Sequence, residues 1–333
     1  IDVNQAKNNG ATSLFIASQK GHTDIVDQLL AHHNIDVNKA MNKGTTPLFI
    51  ASQKGHAEVV LKLLTKPGIN VNPARYTGST PLFIASQKGH TEIVDQLLAN
   101  KGVLVNQAKN DGSTPLYIAS EQGHSEVILK LMTKKGVNMN QAKNDGTTPL
   151  FIASQNGHSE VVSMLLTKQG VDVNQARKDG VTPLLIASQQ GHVEMVLMLL
   201  TKKDIDVNKA RKDGTTPLFM ASQKGYTEVV SMLLAKKDID VNKADNDGVT
   251  PLLVASYKGY AEVVSMLLAK QGVDVNQAKN NGVTPLFVAS AKGHTEVVSM
   301  LLAKQGINVN QAQNDGATPL CIASHVGHAE VVS

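Results

Sequence analysis

The period of this chain constrains its fold more than any other feature. Glycine recurs at 10, 44, 78, 112, 146, 180, 214, 248, 282 and 316, each 34 residues after the last. A serine series runs in step with it, from Ser18 to Ser324. Self-similarity at roughly 20 to 50 residues marks a solenoid or related array, whose units bury apolar surface only by stacking on neighbours. A chain of 333 residues would otherwise suggest two domains, at about 100 to 200 residues each. No linker or composition shift interrupts the period, so one continuous array over 1–333 is expected, incomplete at both ends and part of a longer chain.

The second copy shows what one unit encodes. Thr46 precedes Pro47, which pushes it out of the α region and frees its hydroxyl to accept from an early helical N–H. Pro47 then fills the first helical position, where no N–H is needed. Leu48 and Ala51 share one face of a short first helix, and Gly55 ends it. His56-Ala57-Glu58-Val59-Val60-Leu61-Lys62-Leu63-Leu64 follows, with Val59, Val60, Leu63 and Leu64 at helical spacing. Glu58 in its first turn and Lys66 near its end suit the helix dipole. The exit loop carries Gly68, and the same phase reads Asn34, Gly102, Gly136, Gly170, Asp204, Asp238, Gly272 and Gly306. These residue types tolerate positive φ, so a left-handed residue is expected there in every copy.

The segments that repeat are T-P-L, G-H-x-E-V-V and V-D-V-N, as in Thr148-Pro149-Leu150, Gly157-His158-Ser159-Glu160-Val161-Val162 and Val171-Asp172-Val173-Asn174. They resemble the ankyrin-repeat family over the whole length. The resemblance implies an all-α repeat solenoid: stacked helix-turn-helix units joined by β-hairpin finger loops. Two departures stand out. The period is 34 where the family's is commonly about 33, and the extra residue falls after the second helix. The family's His after T-P-L is replaced by Phe15, Phe49, Phe83, Tyr117, Phe151, Leu185, Phe219, Leu253, Phe287 and Cys321. An apolar contact between successive first helices is expected in its place, with Cys321 buried like the rest.

Composition excludes several function classes. Tryptophan is absent and aromatics make up 3%, low for an enzyme but natural for helix pairs packed through Leu, Val, Ile and Ala. A net charge of +4 from 32 basic and 28 acidic residues commits the chain to neither nucleic acid nor membrane. The lone Cys321 rules out an internal disulfide framework, and no signal segment or membrane-length apolar run is present, so a cytoplasmic or other reducing compartment is expected. The His-x-Glu pairs, such as His56/Glu58 and His124/Glu126, sit two apart on a helix and diverge by about 200°. Tyr226 and Tyr260 replace the His in two copies, so capping and packing are expected rather than a metal or catalytic site. The Asn series 4, 38, 72, 106, 140, 174, 208, 242, 276 and 310 is expected to satisfy backbone groups in the turns and across to the next copy. Nucleophile elbow, P-loop and paired-Cys motifs are absent; no catalytic residue, cofactor or metal is expected.

What remains is surface. The resemblance implies that partners are gripped by finger tips and by exposed residues late in the first helix. Here those positions are Gln19, Lys20, Gln53, Lys54, Gln87, Lys88, Gln223, Lys224, Tyr257, Lys258 and Lys292, with Arg177, Lys178, Arg211 and Lys212 at finger tips. The expected function is a non-enzymatic protein-interaction scaffold for an extended or repetitive protein partner. A structural spacer, spring-like or filament-forming, is the alternative. The last copy keeps an apolar pattern, Leu320, Ile322, Ala323, Val331 and Val332, which adds end-to-end self-association to the expectations. Nucleic acid is disfavoured, because Asp accompanies the finger basics and stacking aromatics are nearly missing.

Overall fold

A computed structural model describes residues 2–333. They fall into two compact units, 1–171 and 172–333, each an all-α stack of helix pairs. In the first unit the first helices of the pairs are α1 (Ser13–Lys20), α3 (Pro47–Lys54), α5 (Pro81–Lys88), α7 (Pro115–Gln122) and α9 (Pro149–Asn156). Their second helices are α2 (Thr23–Ala31), α4 (Ala57–Thr65), α6 (Thr91–Ala99), α8 (Ser125–Thr133) and α10 (Ser159–Leu166). The second unit repeats the scheme. Its first helices are α11 (Pro183–Gln190), α13 (Pro217–Lys224), α15 (Pro251–Lys258), α17 (Pro285–Lys292) and α19 (Pro319–Val326). The partners are α12 (Val193–Leu200), α14 (Thr227–Leu234), α16 (Ala261–Ala269), α18 (Thr295–Leu302) and α20 (Ala329–Val332). Each first helix packs on the next first helix within its unit and on its own second helix. No helix among the described residues is long and apolar enough to cross a membrane.

The local signals are realised as read. The Thr before each first helix is extended, and Thr46 Oγ1 accepts from Phe49 N–H at 3.2 Å. Gly55 closes that helix at φ 83°, left-handed. The second helices are amphipathic: Val59, Val60 and Leu63 are buried, Glu58 and Leu61 exposed. The first helices are not. In α3, Pro47 to Ser52 are all buried, because a first helix with α1 on one side and α5 on the other offers no broad solvent face.

The Phe series lies in the core. Phe15 packs with Ile50 of the next first helix, and Phe287 with Ile322 of the next. Cys321 departs from the expectation: it is exposed. At this phase the covering residue comes from the following copy, as Ile50 covers Phe15 and Ile322 packs on Phe287.

Three other expectations are corrected. The exit-loop phase is left-handed at Gly68, Gly136, Gly170, Gly272 and Gly306 but not at Asn34, Gly102, Asp204 or Asp238. At Gly102 the N–H is held instead by Asn100 Oδ1, at 2.9 Å. Lys66 does not serve its own helix; its ammonium donates to Leu30 O, an orphan carbonyl at the end of the previous second helix. Lys270 and Lys304 do the same to Leu234 O and Leu268 O, each at 2.6 Å. The fingers are not hairpins of strands. Each is a tight turn, as where Lys109 N–H donates to Ser113 O and Gly112 N–H to Lys109 O, both at 2.9 Å. Pairing reaches an isolated bridge only at Ala6–Thr12 and Met41–Thr45 among the described residues.

The asparagines tie copy to copy. Asn72 Nδ2 donates to Gly102 O at 2.8 Å, and its Oδ1 accepts from Leu104 N–H at 2.9 Å. One side chain thus satisfies a donor and an acceptor of the following loop. Asn72→Ala should destabilise that joint by about 1 to 2 kcal/mol, since two hydrogen bonds are lost and backbone groups are left to water. Amide exchange at Leu104 should quicken accordingly; an unchanged rate would show that the ladder carries no load there.

Candidate interaction surface

The histidines face inward along the stack. His56, His90 and His124 stand at N-cap positions, yet none makes a side-chain cap bond. Each ring reaches back instead: His56 Nε2 donates to Gln19 O at 3.1 Å and His124 Nε2 to Gln87 O at 3.1 Å. The ring also lies against the glycine that ends the previous first helix; a Cβ on Gly123 would fall 2.8 Å from His158 Nδ1. Tyr226 and Tyr260 fill the same place by ring contact over Gly191 and Gly225. The paired Glu58 and Glu126 point elsewhere, toward Thr23 Oγ1 and Thr91 Oγ1 at 3.4 Å. Among the described residues no group of three or more His, Cys, Asp or Glu side chains could hold a metal ion.

The histidine contact assigns the Gln–Lys pairs two different tasks. Gln19, Gln53 and Gln87 are half-buried, and their carbonyls receive the next copy's imidazole. Lys20, Lys54, Lys88 and Lys224 are exposed at the last turn of their helices, where a cation also suits the dipole. None of the four takes part in an ion pair among the described residues. Gln223 matches its counterparts in burial. Tyr257, 42% exposed, is flanked by the ammoniums of Lys258 and Lys292, at 5.6 and 4.8 Å from its ring centre. These three residues form one cluster, although Lys292 stands 34 residues after Lys258 in the sequence.

The finger cations behave differently from one another. Arg75 lies over the Phe49 ring and Lys109 over the Phe83 ring, each 5.3 Å from the centre. Finger and first helix therefore border the same strip. Arg177 is half-buried and clips Asp179 of its own finger, Nε to Oδ1 at 3.0 Å. Arg211 does the same to Asp213, and this guanidinium holds the Asp213 carboxyl well below the usual carboxylate range. The clip also braces Thr215, whose N–H donates to Asp213 Oδ1 at 3.1 Å. Both arginines thus stabilise their fingers, while Lys178 and Lys212 are exposed. Lys212 N–H is itself tied to Asp179 O of the previous finger, at 2.9 Å.

Sequence reasoning missed the lysine ladder at Lys66, Lys270 and Lys304 and the glycine–imidazole contact. The recurrence of Lys at 66, 134, 168, 202, 236, 270 and 304 was a signal for the first. Pairing across helices was not visible in any single copy. It also missed Lys43, a finger-tip lysine held at φ 73°, the one non-glycine with positive φ among the described residues.

The family model described as "Ankyrin repeats (3 copies)" matches residues 1–75, 69–143, 122–211, 206–279 and 267–333. A comparison with curated proteins gives no match. Those five overlapping matches run from end to end over the same helix pairs, threonine caps and glycine turns described above, and the chain belongs to the ankyrin-repeat family.

Proposed function

We propose that this chain is a non-enzymatic protein-interaction scaffold that holds an extended or repetitive partner along the strip formed by fingers and first-helix ends. Ankyrin repeats are in general protein–protein interaction modules. The observation that carries the reading is the row Lys20, Lys54 and Lys88 of the first unit, exposed, repeated in register and without an ion pair among the described residues, with Lys224 exposed at the same phase of the second unit. The proposal takes residues 1–333 as one continuous array in a reducing compartment, the latter supported by the single, unpaired Cys321.

Recognition spread over many copies gives weak single contacts, about 0 to 1 kcal/mol for an exposed charge. Capture of partner by the immobilised chain should therefore change little on Lys54→Ala. Replacing Lys20, Lys54 and Lys88 together should weaken it clearly and flatten its salt dependence. A single substitution that abolishes binding of a compact partner would defeat the reading. The spacer alternative is favoured by the asparagine joint, which repeats at 2.6 to 2.8 Å from Asn4 to Asn276 without variation in design. A chain that captures nothing, yet extends reversibly under force, would be that spacer.

A further inference from the structure

The charge of the chain is unevenly placed. Residues 1–171 carry 16 Lys and Arg against 12 Asp and Glu, whereas 172–333 carry 16 of each. The whole formal excess of +4 thus lies in the first unit. Within that unit it is sharper still. The finger-and-first-helix segments 5–20, 39–54 and 73–88 contain no Asp or Glu at all. In the next three copies the same segments include Asp111 and Glu121, Asp145, and Asp179.

One row of exposed cations lines this carboxylate-free strip, Lys20, Lys54 and Lys88 at the helix ends, and the fingers add exposed Lys7 and Lys43 and the half-buried Arg75. Nearby carboxylates lie across the glycine turns, at Asp24, Glu58 and Glu92, and none pairs with these six within 4.0 Å. Tyr76 stands in the third finger, 76% exposed.

We propose that the first three copies take an acidic segment in the polyproline II conformation, with a carboxylate at every third residue. This deepens the scaffold reading and rests on it. Successive packed helices lie about 8 to 10 Å apart, so the helix-end row offers a cation at about that interval. The finger cations stand beside it at two phases, Lys7 and Arg75 at one and Lys43 two residues further on in its copy. A polyproline II chain has three residues per turn and about 3.1 Å rise, returning a side chain to the same edge every 9 Å or so. A β-strand presents its same-face residues about 6.6 to 6.8 Å apart, which falls out of step. A strand would also need an edge to pair with, and the described residues of the first unit hold none beyond two isolated bridges. Polyproline II needs no backbone partner, and its prolines suit an exposed tyrosine face such as Tyr76. A nucleic acid is the weaker fit, because single strands bind on rows of aromatics and the strip has this one exposed ring.

The probe is a fluorescent (Glu-Pro-Pro)5 peptide, titrated by anisotropy against the full chain at low ionic strength. Saturable binding is expected. The triple variant Lys20→Gln, Lys54→Gln, Lys88→Gln should weaken it about tenfold or more, three exposed pairs being lost together. The triple variant Lys101→Gln, Lys135→Gln, Lys168→Gln removes the same charge from exposed exit-loop positions of the first unit and should weaken it less than about threefold. Circular dichroism checks that both variants fold. A peptide of identical composition with its five Glu in one block should bind several-fold more weakly. Equal losses in both variants, a block peptide that binds as well, or no saturable binding would each overturn the proposal. A (dT)15 strand that binds more tightly than the peptide would assign the strip to nucleic acid instead. If a captured protein partner is lost from the first variant while the peptide never binds, the scaffold reading stands and the acidic segment alone is refuted.

Discussion

Phe151→Ala should destabilise its part of the stack by about 3 to 5 kcal/mol, the usual range for removing a buried ring that neighbours cannot collapse to replace. The side chain is 0% exposed, at the phase where Phe15 and Phe287 meet the following first helix. A long repeat array need not unfold in one step, so the loss is best read locally, as the opening free energy from amide exchange in residues 149–156. Mutant and parent should differ most in α9 itself. A loss below about 1 kcal/mol would mean that the ring contributes little to the joint between copies.

Gly123→Ala is expected to cost about 2 to 4 kcal/mol by two additive routes. The residue sits at φ 75°, where any Cβ is strained by about 1 to 2 kcal/mol. The new methyl would also fall 2.8 Å from His158 Nδ1 and 2.9 Å from Cε1, forcing the ring out of its place. That ring holds the next copy to the Glu121 carbonyl at 3.0 Å, so the damage passes across the joint. The two routes are separable. In a cycle with His158→Ala, the steric part should vanish and the φ part persist, giving a coupling of about 1 to 2 kcal/mol. Strict additivity would show that the imidazole moves aside freely.

Much of this was legible in the residues. A threonine before proline, a glycine eight residues later and a Val-Val/Leu-Leu stripe specify two short helices by local chemistry alone, and each formed where the signals stood. The 34-residue recurrence likewise announced the stack. The candidate strip was legible as a pattern of exposed lysines, because a polar residue late in a helix whose other positions are apolar has only solvent to face.

The errors share one cause. Lys66 was assigned to the dipole of its own helix and His56 to capping its own helix as well as packing, and local rules supported both assignments. In the fold Lys66 serves a carbonyl 36 residues back and His56 one 37 residues back. Cys321 shows the same dependence in reverse: its phase is apolar, but burial there is conferred by the copy that follows. By itself the sequence determined the helices, their caps and the period, since those depend on residues within one turn of each other. Only the tertiary structure decided which polar groups are spent on joints and which are left to a partner, because that depends on what the neighbouring copy brings within hydrogen-bonding reach.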